Sequence, residues 1–147
     1  MGSLEVVIWP SGLAYPDGSA TPEWSVKGSH GDLWIKETVL IRNTATPYKI
    51  ILRARTGGPS TSDVALDDVT VRSSSAGVGV TTTSATSPQP VAVSSTVLYR
   101  CDFDYGSICS WAHPRTAPMK WIVRKDSTPT PRTGANHDHT SGKGDLL

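Results

Sequence analysis

This sequence predicts an all-β fold of short antiparallel strands, and three observations carry that prediction. Apolar and polar residues alternate through residues 33–42 and again through 48–55, the period-two signature of a strand with one buried face. Clusters of Gly, Pro, Asn and Ser punctuate the chain between such runs, as turns require. Helical periodicity is absent from all 147 residues.

The first strand is the apolar run Leu4–Trp9, stopped by Pro10 and followed by a turn region around Tyr15-Pro16-Asp17-Gly18. In the second run Leu33, Ile35, Val39 and Ile41 share one face, while Lys36, Thr38 and Arg42 take the other. Asn43–Pro47 turns the chain, and Tyr48, Ile50 and Leu52 share a face of the next strand. Two alternating runs joined by so short a connection predict a hairpin. Thr56-Gly57-Gly58-Pro59 ends it, and Val64–Val71 reads as a further strand rich in β-branched residues.

Composition divides the chain into three parts: 1–72, 73–96 and 97–147. Half of residues 73–96 are Ser or Thr, and none is charged or aromatic. Such a stretch buries too little side-chain area to offset its ordering entropy, so it reads as a flexible linker with mucin-like O-glycosylation as an option. The third part opens with Cys101-Asp102-Phe103-Asp104-Tyr105-Gly106-Ser107-Ile108-Cys109-Ser110-Trp111, holding both cysteines and the sole phenylalanine. This reads as a strand end and a tight turn closed by a Cys101–Cys109 disulfide, with Phe103 and Trp111 as core residues beside it. Trp121-Ile122-Val123 is another brief strand. Leu146 and Leu147 look like the start of one more, so the chain reads as a piece of a longer protein.

The charge and composition exclude several function classes. A net charge of +1 argues against a dedicated nucleic-acid surface. Leu, Ile, Val and Phe make up only about a fifth of the chain, at the edge of what folds, although five tryptophans concentrate the apolar material. No run approaches the roughly 20 apolar residues that span a bilayer. No His-Glu-x-x-His, Gly-x-Ser-x-Gly, Walker or Cys-x-x-Cys motif is present, so the chain is expected not to be an enzyme. His137-Asp138-His139 with Asp104 is too sparse for zinc, which wants three or four soft or imidazole ligands. The favoured reading has Asp138 capping a loop and His139 packing. Arg42, Arg53 and Arg55 read as a solvated face.

At these residues a family resemblance emerges. Cys101, Phe103-Asp104, Cys109-Ser110-Trp111, Trp121, Thr133-Gly134-Ala135, Asp138-His139-Thr140 and Gly142-Lys143-Gly144-Asp145 resemble the opening of a MAM domain, an extracellular module. Gly2-Ser3-Leu4-Glu5-Val6, Trp9, Trp34, Val39, Ile41, Tyr48–Ala54 and Ala65-Leu66-Asp67-Asp68-Val69 resemble its close. The cysteine expected after the Asp pair is missing from Arg72-Ser73-Ser74-Ser75, which removes a second disulfide. The order implies the C-terminal part of one MAM repeat (1–72), a linker (73–96) and the N-terminal part of a second (97–147), with the middle strands of both absent.

The resemblance implies an antiparallel β-sandwich of jelly-roll type and a non-catalytic, extracellular role in cell adhesion or receptor association. The expected partners are other cell-surface or matrix proteins, homophilic contacts included. It also implies a calcium or sodium ion where first and last strands meet, with Asp67, Asp68, Asp104 and Asp138 as oxygen donors; turn formation is the competing reading of the Asp pair. Trp9 and Trp34 fall at core positions. Trp24, flanked by polar residues, is the one candidate for stacking a sugar, which makes a lectin-like module the second hypothesis. A non-catalytic accessory region of a larger MAM-bearing enzyme is the third.

Overall fold

A computed structural model describes residues 2–16, 18–31, 33–42, 45–57, 63–75, 94–125, 127–129, 135–139 and 145–146. Most of the Ser/Thr-rich segment, the Thr133-Gly134 pair and the Gly142-Lys143-Gly144 motif lie outside them. The fold is all-β and antiparallel. Strands β1 (Ser3–Pro10), β2 (Trp24–Lys27) and β3 (Tyr48–Arg55) form one sheet in the order β2-β1-β3. Strands β4 (Val69–Ser75) and β5 (Ser94–Cys101) form a second, and the two-residue β6 (Arg124–Lys125) and β7 (Asp145–Leu146) a third.

β1 sits at the centre of the first sheet because its run supplies apolar residues to both faces. Its register pairs Val6 with Leu52 and Trp24, and Val7 with Ile51. Alternate residues share a face, so Leu4, Val6 and Ile8 lie beside Ile50, Leu52, Ala54, Trp24 and Val26. The opposite face carries Val7 and Ile51, both buried, and the buried Glu5. Glu5 stands directly across from Arg53, and its Oε2 accepts from Arg53 Nε at 2.7 Å and from Arg55 Nε at 3.1 Å. Arg53 then reaches the carbonyls of Gly18 (3.2 Å) and Ala20 (2.7 Å), which folds the 18–20 loop over that face; Arg55 Nη2 also donates to the Gly18 carbonyl. A buried carboxylate is tolerable only with partners of this kind.

The sequence reading needs correcting in five places. Residues 33–42 form no strand, and Leu33, Ile35 and Leu40 are exposed. β3 pairs with β1 instead of hairpinning with that run, along all eight residues of both strands. The strand expected at Val64–Val71 begins five residues later, at Val69, and runs on to Ser75, where pairing with β5 outweighs side-chain propensity. Trp121–Val123 is not a strand; the pairing begins at Arg124. Arg53 is not solvated, since Glu5 and two carbonyls hold it; Arg42 is exposed, and Arg55 is half-exposed.

The second centre of packing lies at the end of β5. Cys101 and Phe103 are buried, with Leu66, Val69, Tyr99, Ile108, Trp111, Trp121 and Val123 packed around them. Cys101 and Cys109 are joined by a disulfide across a Cα–Cα distance of 6.0 Å, as the sequence predicts. Between them runs a single 3-10 turn, Asp104–Gly106. Phe103, Tyr105 and Cys109 all have positive φ (58°, 62° and 53°), a conformation that side-chain-bearing residues adopt only when the surroundings enforce it. Burial of Phe103 and the cross-link supply that enforcement.

Candidate functional site

Where β4 begins, Asp67 and Asp68 are held in a fixed arrangement. Asp68 takes a left-handed backbone, φ 50°, which Asp tolerates better than most residues. Its N–H donates to Asp67 Oδ1 at 2.8 Å. The chain from Ala135 to His139 closes against this corner, with His139 N–H donating to Asp67 Oδ2 at 3.1 Å. Asp68 is shared: Arg100 Nη2 lies 3.3 Å from Oδ1, and His139 Nδ1 lies 3.0 Å from Oδ2. Trp34 completes the surround. Its indole donates to the His137 carbonyl at 2.9 Å, and its ring meets His139 edge-on with centroids 5.9 Å apart.

Asp138 is almost fully buried, at 2% exposure, and it hydrogen-bonds through its side chain to Asp67. Desolvation and this second carboxylate push Asp67 up to about 6, against the pull of the Asp68 and His139 N–H groups.

Asp67, Asp68 and His139 each present a ligand atom within 4.8 Å of the others. Of the four expected cation donors, the structure brings Asp67 and Asp68 together and seats Asp138 against Asp67; Asp104, in the 3-10 turn, stands outside the 4.8 Å set. The oxygens suit a hard cation, since each carboxylate oxygen keeps a second lone pair. The imidazole of His139 and the guanidinium of Arg100 compete for Asp68. His139 and Trp34 are members the sequence reading placed in packing roles instead. Trp24 sits inside β2, half-buried and paired with Val6, instead of standing in a loop.

Among the described residues no helix is long and apolar enough to cross a membrane. The antiparallel sheets and the stapled turn define a disulfide-bearing β-module. Residues 2–76 match the model of the MAM domain, meprin/A5/mu, and the chain belongs to that family, whose fold is a β-sandwich of jelly-roll type. The chain is also similar to Neuropilin-1a of Danio rerio, 31% identical over 72 residues. That match covers 47% of this chain and 8% of the relative. No solved structure matches.

Proposed function

We propose that the chain is a non-catalytic extracellular module for protein–protein association, of the adhesion or receptor-ectodomain kind. The observation that carries this reading is the exposed apolar run beside Trp34: Leu33 and Leu40 are 76% and 73% exposed, with Ile35 half-exposed between them, in a chain that belongs to the MAM family. Apolar side chains concentrated on one short segment suit a partner surface better than water. The partner is a cell-surface or matrix protein, a second copy included. Beads coated with the chain should aggregate or capture an ectodomain from a defined panel, and Leu33→Ser with Leu40→Ser should abolish it. Retention on a glycan array with no protein capture would overturn this reading in favour of a lectin.

Within that module Asp67, Asp68 and Asp138 are assigned as donors to a calcium or sodium ion that ties 135–139 to the start of β4. When bound, such an ion would neutralise the carboxylate pair. Millimolar calcium should then raise Tm over the chelated protein by mass action, and the rise should vanish in Asp67→Asn. An identical melting curve with calcium and with chelator would remove the ion.

A further inference from the structure

The family match ends at residue 76, where β4 ends, yet the contacts that complete β4 come from residues beyond it. β4 pairs with β5 from Val69↔Cys101 to Ser75↔Ser94, and among the described residues it has no other strand neighbour. Leu66 and Val69 pack on Cys101 and Phe103. The Trp121 indole donates to the Leu52 carbonyl at 3.2 Å, reaching the outer edge of β3, which among the described residues pairs only with β1. Trp34 holds the His137 carbonyl, and Asp67 and Asp68 hold His139. Without residues 94–139, β4 would be an unpaired strand and the edge of β3 would lose its cover.

All of these contacts are non-covalent, because the one disulfide lies within residues 94–139. Ser75 and Ser94 are direct register partners, so a hairpin turn of about two to five residues would suffice to join them. Residues 76–93 are several times longer than that. The pairing is therefore not dictated by the connection.

We propose that residues 94–139 are a separable complementing partner of residues 2–75, and that a second copy of this chain fills the same interface by reciprocal exchange of β5 and its stapled turn. Each exchanged contact is identical to one made within a single chain, and the result is an isologous dimer. Tethering gives the chain's own β5 an effective concentration on the order of millimolar, so self-pairing dominates in dilute solution. Exchange takes over when copies are crowded, as on a surface.

Cysteine pairs placed in the full chain test this. Ser73 and Thr96 are exposed register partners, so Ser73→Cys and Thr96→Cys in one chain should cross-link within that chain. Mixing a Ser73→Cys chain with a Thr96→Cys chain at millimolar concentration should give the mixed 73–96 disulfide at least tenfold over either like-with-like dimer. Failure of the first cross-link overturns the complementing interface, and a merely statistical mixed yield overturns exchange.

Discussion

The β1–β3 sheet and the Cys101–Phe103 cluster bury side chains by different means. In the sheet, two eight-residue strands run in full register, so backbone pairing fixes the side chains and the face around Val7 and Ile51 follows. An ionic bridge, Glu5 with Arg53 and Arg55, then locks a loop over that face. From residue 102 to 139, the described residues hold just one two-residue strand and one 3-10 turn. Here order comes from a cross-link, a fully buried ring and a ring of aromatic neighbours. The difference teaches that backbone ladders and side-chain staples substitute for each other, and that each should fail in its own way.

The largest effect is expected at Phe103. No ladder backs its left-handed conformation, so Phe103→Ala should cost about 3–5 kcal/mol and release the 102–111 turn. In the sheet, Val7 is as fully buried but its backbone is held on both sides, so Val7→Ala should cost less and leave the register intact. Chemical denaturation with amide exchange at 48–55 and 97–101 checks both. Equal losses with equal loosening of both regions would show that they unfold as one unit.

Next in size is the staple itself. Closing so short a loop is worth about 2.5 kcal/mol on the chain-entropy account. Reduction, or Cys101→Ser with Cys109→Ser, should lower stability by that order and speed exchange around Tyr99 while sparing β1. Peptide mapping without reductant checks the bond, and an unchanged midpoint would deny it a structural role.

What could be read in advance follows the same division. β1 and β3 were legible because their apolar runs are long and both bury a face; so were the disulfide, Phe103 and Trp111. Residues 33–42 alternate just as well, yet alternation says only that a strand could form, and among the described residues no partner strand meets them. β2 was missed because Trp24 and Val26 are a four-residue pattern, too short to stand out. At the site, Asp67, Asp68 and Asp138 came through family resemblance, whereas no local signal brings Trp34 to His137 across the chain. The Glu5 bridge did leave a signal: a lone acid inside an apolar run, and two arginines in one phase of another strand.

The sheet's ionic lock and the carboxylate corner respond to acid in opposite senses. Burial raises Glu5, but the hydrogen bonds and charges of Arg55 and Arg53 outweigh it and hold the carboxyl below its ordinary 4.5. Its contribution is thus present above 4.5 and lost as pH falls through the lowered value. Asp67 is raised from 3.8 to about 6, so the folded chain takes up a proton first, and stability rises as pH falls from 7 through 6. Tm should therefore climb as pH falls from 7 toward about 4.5 and turn over only below that, where Glu5 begins to take up its proton. Asp67→Asn should remove the rise on the alkaline side, and Glu5→Gln the fall on the acid side, the latter costing about 1–3 kcal/mol at neutral pH by leaving Arg53 without its counter-charge. A flat profile from pH 4 to 7 would contradict both assignments.

The smallest effect separates packing from polarity inside the stapled region. Tyr99 meets Trp111 edge-on, with ring centroids 5.8 Å apart, and its ring contributes to the cluster around Phe103. Among the described residues its buried hydroxyl has no hydrogen-bond partner, nor has the buried Trp111 indole N–H. An unsatisfied buried polar atom costs what its lost hydration was worth, whereas the ring beneath it stabilises by area and contact. Tyr99→Phe keeps the ring and removes the cost, so stability should stay level or rise by up to about 1 kcal/mol. Tyr99→Leu keeps apolar bulk but loses the edge contact, and should fall by about 0.5–1.5 kcal/mol relative to Phe. Denaturation midpoints of the two variants decide the point: a clear loss in Tyr99→Phe would mean that the hydroxyl is bonded in solution, by water or by a partner. The cluster would then owe part of its order to a polar link, as the sheet does to Glu5.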